Sequence, residues 1–129
     1  MSSAIATKSI FSTVPNSNFL GLLDESKPIY KKIQKFLNFS KEDFSSATGV
    51  EKNSIRDDSK MPRELTDRLT EIASVCELVA SYFDGDPAKT SLWFKLPNPM
   101  LGNISPRDMI RLGRYKKLIK FIHEAMQGL

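Results

Sequence analysis

Between residues 65 and 83 apolar side chains recur at steps of three and four: Leu65, Leu69, Ile72, Val75, Cys76, Val79 and Phe83. This is the helical period, and it is the longest periodic segment in the chain. A stripe of that length must lie against other elements, so the segment is expected to be the internal spine of the fold. The same helix could also supply a dimer surface. No segment shows the two-residue alternation of a strand, and no fixed-period repeat is present. The fold class expected is all-α.

Residues that start and stop helices punctuate the rest of the chain. Pro28 suits a first helical turn, where its missing N–H costs nothing. Ile29, Ile33, Phe36 and Leu37 then form one apolar stripe that should end near Phe39. Ser40 and Asp43 have the spacing of a capping box, and Gly49 ends the short helix that follows. A third short helix is expected from Glu51 to Arg56. Met61-Pro62 marks a boundary, with Pro62 opening the long helix. Asp84-Gly85-Asp86-Pro87 breaks it as a turn, an N-cap and a first helical position. The next helix carries Leu92, Trp93 and Phe94 and stops at Pro97-Asn98-Pro99, because neither proline can continue the ladder. Ser105-Pro106 opens another that Gly113 closes. The last, 114–127, sets Tyr115, Leu118, Ile119, Ile122 and Met126 on one face, with Gly128 as its stop.

Four parts result. Residues 1–27, rich in Ser, Thr and Asn, read as a mobile tail or a lightly docked arm. Residues 28–61 hold the short helices, 62–85 the connecting long helix, and 86–129 a small carboxy-terminal helical domain. A chain of 129 residues buries enough surface to fold without a disulfide or a metal. The single Cys76 excludes an internal disulfide and suits a reducing, cytoplasmic setting. No apolar run approaches the roughly 20 residues that span a bilayer, and residues 1–19 lack the basic start and apolar stretch of a secretory signal.

Nothing in the sequence points to catalysis, and neither cofactor nor metal is expected. His123 has no Cys or His at a ligand spacing, and Cys76 sits on the apolar stripe. A glycine-rich phosphate loop, a Ser–His–acid cue and an HExxH motif are all missing. Asp84 and Asp86 flank Gly85 but lack further cation ligands in order, which favours a turn and a cap.

Net charge is +4, a mild bias compatible with nucleic acid. Residues 40–56, SKEDFSSATGVEKNSIR, have helix-turn-helix spacing. Phe44, Ala47, Val50 and Ile55 would pack inward, Gly49 would make the turn, and Lys52, Asn53, Ser54 and Arg56 would face DNA. Such a unit is also common in structural bundles. Glu51, Asp57 and Asp58 oppose phosphate contact, and specific binding would need a dimer. The basic residues of the last quarter (Arg107, Arg111, Arg114, Lys116, Lys117 and Lys120) fit a solvated helix face as well as a contact surface.

The stretch LWFKLPNPMLGNISPRDMIRLGR, 92–114, sets large apolar side chains beside helix-incompatible residues. Pro97 and Pro99 stiffen its loop before any partner arrives, which leaves less conformational entropy to lose on binding. Trp93 is placed beneath the Pro97–Leu101 turn, whereas Phe94, Met100 and Met109 are the candidates for exposure. Trp93, Pro97-Asn98, Leu101-Gly102, Ser105-Pro106, Gly113 and a final amphipathic helix ending in Gly128 together resemble the toxin-binding domain of the Xre/MbcA/ParS antitoxin family. With the preceding helix-turn-helix the resemblance extends over residues 29–129. Two departures are Asn103, where the family commonly has a second glycine, and the acidic end of the recognition helix.

The resemblance implies an antitoxin of a bacterial type II toxin–antitoxin pair. It would act as a homodimer, block a RES-domain toxin that depletes NAD, and repress its own operon by binding operator DNA. Toxin contact would then fall on Phe94, Pro97, Asn98, Met100, Leu101, Arg107, Arg111, Gly128 and Leu129. The terminal carboxylate of Leu129 would offer an anion to a phosphate-binding pocket. A stand-alone helix-turn-helix regulator with a dimerising carboxy-terminal region is the alternative, and an adaptor without a DNA role is a third.

Overall fold

The structure, a computed structural model, describes residues 18–127. Its elements in chain order begin with a hairpin, β1 (Leu23–Asp24) and β2 (Lys27–Pro28). Six helices follow: α1 (Tyr30–Leu37), α2 (Lys41–Thr48), α3 (Arg63–Tyr82), α4 (Pro87–Lys95), α5 (Pro106–Arg111) and α6 (Tyr115–Gln127). Single 3-10 turns lie at Lys52–Ser54 and Pro99–Leu101. The described chain is therefore mostly helical, with one small two-stranded sheet that period reading did not anticipate.

The spine forms where the stripe placed it. Leu65, Leu69, Ile72, Val75, Cys76 and Val79 are all buried. The burial goes further than one stripe, because every residue from 75 to 80 is enclosed. A helix apolar on all sides belongs in the middle of a fold. Accordingly α3 touches β2, α1, α2, α4 and α6. Along 75–80 the helix has no exposed side, and Tyr82 beyond it is exposed. In the other half, the exposed positions Arg63, Glu64 and Asp67 are charged.

Helix ends follow the capping logic closely. Ser40 Oγ accepts the Asp43 N–H, and Asp43 returns the bond to the Ser40 N–H. Gly49, at φ 76°, ends α2 in left-handed geometry, and Asp86 accepts the Ala88 and Lys89 N–H groups to start α4. The Asp84–Asp86 segment is thus a turn followed by a cap. Pro28 departs from expectation. It pairs with Leu23 in the hairpin, and the Ile29 N–H donates to the Leu22 carbonyl, which keeps the chain extended until Tyr30. Pro62 likewise stands just outside α3 with extended geometry rather than as its first residue.

The hairpin also changes the picture of the amino-terminal segment. Within the expected tail or docked arm, residues 20–23 pack against the fold while 24–27 stay exposed, and Leu22 is a core residue at 1% exposure. The cause is Glu77, buried in the spine, whose carboxylate accepts the backbone N–H groups of Leu20 and Leu22 at 3.0–3.2 Å. Residues 1–17 lie outside the described structure.

One hydrophobic cluster runs from Leu22 to Ile122 and includes residues of all six helices. The boundaries expected at 62 and 86 fall at helix starts, not at gaps in this core. Arg107 of α5 reinforces the continuity. Its guanidinium donates to the Leu37 and Asn38 carbonyls at the end of α1 and lies 5.0 Å from the Phe39 ring centroid. Cationic donors suit a helix C-terminus, where carbonyls lack partners. On α6, Tyr115, Leu118, Ile119 and Ile122 are buried, and the Tyr115 hydroxyl donates to Glu71 at 2.9 Å. Burial, together with that carboxylate, pushes the Tyr115 phenol well above its ordinary range.

Two outcomes test this packing. Glu77→Ala leaves two N–H groups without their acceptor and should cost roughly 2–3 kcal/mol in urea unfolding; an unchanged midpoint would contradict the pinned segment. Burial raises the Cys76 thiol far above its ordinary range, so the thiolate that reacts is scarce in the folded protein. Alkylation by iodoacetamide at pH 8 should be slow in buffer and fast in denaturant.

Candidate protein-binding surface

The turn after α4 is built around Asn98. Its side-chain Oδ1 accepts the Met100 N–H at 2.9 Å, which is the local bond Asn favours in turns. Its carbonyl accepts the Leu101 and Asn103 N–H groups, and its own N–H donates to the Ile104 carbonyl at 3.2 Å. Gly102 and Asn103 then follow with φ of 71° and 64°. Asn103 therefore takes the left-handed geometry for which a second glycine would be the usual choice. Ser105 closes the unit by accepting the Asp108 N–H to cap α5. With its backbone groups paired locally, this loop has a set shape without any partner.

On this scaffold α4 divides its side chains sharply. Thr90 and Phe94 face the interior. Leu92 and Leu96, one turn apart, face solvent at 57% and 52% exposure. Met100 at the head of the turn is 78% exposed. Pro97 and Pro99 are exposed beside them. The result is an apolar ridge along the end of α4 and the following turn. Exposed apolar groups that follow one another in this way are a common mark of a protein contact.

The expected contact residues fare unequally. Met100 and Pro97 are presented to solvent, while Asn98 and Leu101 are half-buried and shape the turn. Phe94, expected as an exposed anchor, is instead 1% exposed, packed edge-on to Phe36 at 5.7 Å and to Trp93 at 5.1 Å. Met109, the other candidate for exposure, is also in the core. Both lie on the inward face of their helices, where helical position overrides residue type. Arg107 serves the end of α1, and Arg111 Nε donates to Asp108 at 3.0 Å. Gly128 and Leu129 lie outside the described residues. Leu96, which sequence reading passed over, and Leu92, read there only as a helix residue, are the additions. Both sit off the face that carries Thr90 and Phe94, a face that the two and a half turns of α4 do not name in the sequence.

The segment expected to read DNA differs in form. Residues 51–56 make one 3-10 turn in place of a helix, because Ile55 is drawn into the core at 1% exposure in extended geometry. Phe44, Ala47 and Val50 are buried as expected. Lys52 pairs with Glu42, and Arg56 grips Asp58 with two bonds of 2.7 and 2.6 Å. Hydrogen bonding from Lys52 and Arg56 holds the Glu42 and Asp58 carboxyls below their ordinary range. Asn53 is exposed and Ser54 half-buried. Farther on, Arg114, Lys116, Lys117 and Lys120 are exposed.

In comparisons with known proteins, no family model, no curated protein and no solved structure matches the chain. Among the described residues no helix is long and apolar enough to cross a membrane.

The division between scaffold and surface has a direct test. Asn98→Ala should destabilise the fold by about 1 kcal/mol through the lost turn bond, whereas Met100→Ala should stay within about 0.5 kcal/mol of the parent. Thermal unfolding of the two variants reads the difference, and equal effects would contradict it.

Proposed function

We propose that this chain is the antitoxin of a bacterial type II toxin–antitoxin pair, and that it silences a RES-type, NAD-depleting toxin by direct binding. The observation that carries the proposal is the apolar ridge of Leu92, Leu96 and Met100 along the end of α4 and a turn braced by bonds within itself. A preshaped apolar surface loses little entropy on docking, so more of its burial contributes to affinity. It can cover an enzyme's active-site entrance with no chemistry of its own. The resemblance of residues 86–129 to the antitoxin toxin-binding domain supplies the class of partner.

Repression of its own operon, by a dimer in the cytoplasm, belongs to the same proposal but takes second place. Lys52 and Arg56 already hold carboxylates, which a DNA phosphate would have to displace, and a single turn offers less reach into a major groove than a helix does. Asn53 and Ser54 would then supply the polar contacts of that turn.

The test is co-expression with the neighbouring gene. Expressed alone, that gene should arrest growth and deplete NAD, and this chain should restore both. Leu92→Asp with Leu96→Asp should weaken binding by roughly 100-fold, as loss of central interface anchors does, while thermal stability stays near that of the parent. A neighbour that is harmless alone, or neutralisation that survives the double substitution, would overturn the reading. Tight binding to upstream DNA, lost in Lys52→Ala with Arg56→Ala and unaccompanied by any toxin effect, would put the stand-alone regulator in its place.

A further inference from the structure

Away from the ridge, a cleft of about 460 Å³ opens between the amino-terminal segment, α1 and α4. Its floor is apolar, formed by Leu22 of the core and by Phe36, whose ring is braced on Phe94. Phe19 makes one wall. The ring lies so close over Gly85 that a Cβ there would sit 2.6 Å from Phe19 Cδ1, so only the bare backbone of Gly85 allows the wall its position. Glu77 holds the backbone of Leu20 and Leu22, two of the lining residues, in place.

The charged groups of the lining are of one sign. Lys32 and Lys35 come from one face of α1, and Lys95 comes from α4 across the opening. The lining includes no acidic side chain. Among the described residues, none of the three lysines has an ion-pair partner. Most other described lysines are likewise unpaired, and what distinguishes these three is that they line one apolar hollow together. The positive character does not come from the start of α4, because Asp86 already accepts the Ala88 and Lys89 N–H groups. Three unpaired ammonium groups on the rim of an apolar hollow disfavour a neutral or cationic occupant and favour an anion with a greasy body.

We propose that this cleft binds a small amphipathic anion, a carboxylate or phosphate monoester carried on an apolar chain. The apolar chain would lie over Leu22 and Phe36 against the Phe19 ring, with its charged head among Lys32, Lys35 and Lys95. The volume is within the range of small-molecule sites. The inference stands apart from the antitoxin reading, since it uses none of the ridge residues and needs no toxin.

Isothermal titration of the full chain tests it with octanoate and octyl phosphate as probes, and with acetate, inorganic phosphate and 1-octanol as controls. Saturable binding of either amphiphile is expected, weaker as salt is raised, with none for acetate or phosphate and much less for octanol. Which of the two amphiphiles binds more tightly identifies the head group. Replacing the three lysines together (Lys32→Gln, Lys35→Gln, Lys95→Gln) should weaken binding by about tenfold, the size expected for losing three partly exposed ion pairs. All three are exposed, so the variant should keep its folding temperature. Ser91→Phe, which fills the cleft from α4, should abolish binding. Absence of saturable binding by both amphiphiles, equal binding of octanol, or affinity unchanged in the triple variant would each overturn the proposal.

Discussion

A carboxylate stands in the most deeply buried helix among the described residues. Glu77 is 1% exposed and lies on α3 within the stretch that is enclosed on every side. A buried carboxylate must find donors, since its desolvation otherwise goes uncompensated. The donors it has are the backbone N–H groups of Leu20 and Leu22. That one requirement holds residues 20–22 on the core. It seats Leu22, sets Phe19 over Gly85, and lets the Ile29 N–H reach the Leu22 carbonyl at the entry to α1.

At the other end of α1 a second charge does comparable work. The Arg107 guanidinium takes up the Leu37 and Asn38 carbonyls and stacks on Phe39, fastening α5 to the amino-terminal half. Once α5 is fastened, the Asn98 turn that leads into it is held at both ends, by α4 and by the Ser105 cap. The polar groups of this region are therefore consumed in building the scaffold. Among the large side chains left outward are Leu92, Leu96 and Met100, with Lys95 beside them. A surface of this kind discriminates by shape, and its affinity comes mainly from what it excludes from water.

The two candidate surfaces consequently have different chemistry. The ridge presents apolar side chains, Leu92, Leu96 and Met100, to solvent. The cleft is concave and cationic at its rim, suited to a small anion. The segment 51–56 has neither property, since its cations are neutralised by their own neighbours and its apolar residue, Ile55, is turned inward.

Local rules in the sequence determined the helical class, the α3 spine and most helix ends. The Ser40–Asp43 box, the Gly49 stop, the Asp86 and Ser105 caps and the left-handed Asn103 depend on residues within a few positions of one another, so the chain states them outright. Tertiary structure decided which side of each short helix faces inward, and with that the burial of Phe94 and Met109 and the exposure of Leu92 and Leu96. It also decided that Pro28 would join a hairpin and that residues 51–56 would make one turn. Short helices carry too few turns for their period to name a face, and contacts such as Glu77 to Leu20, 57 positions apart, leave no local trace. Only the folded chain, with its buried groups competing for partners, settles them.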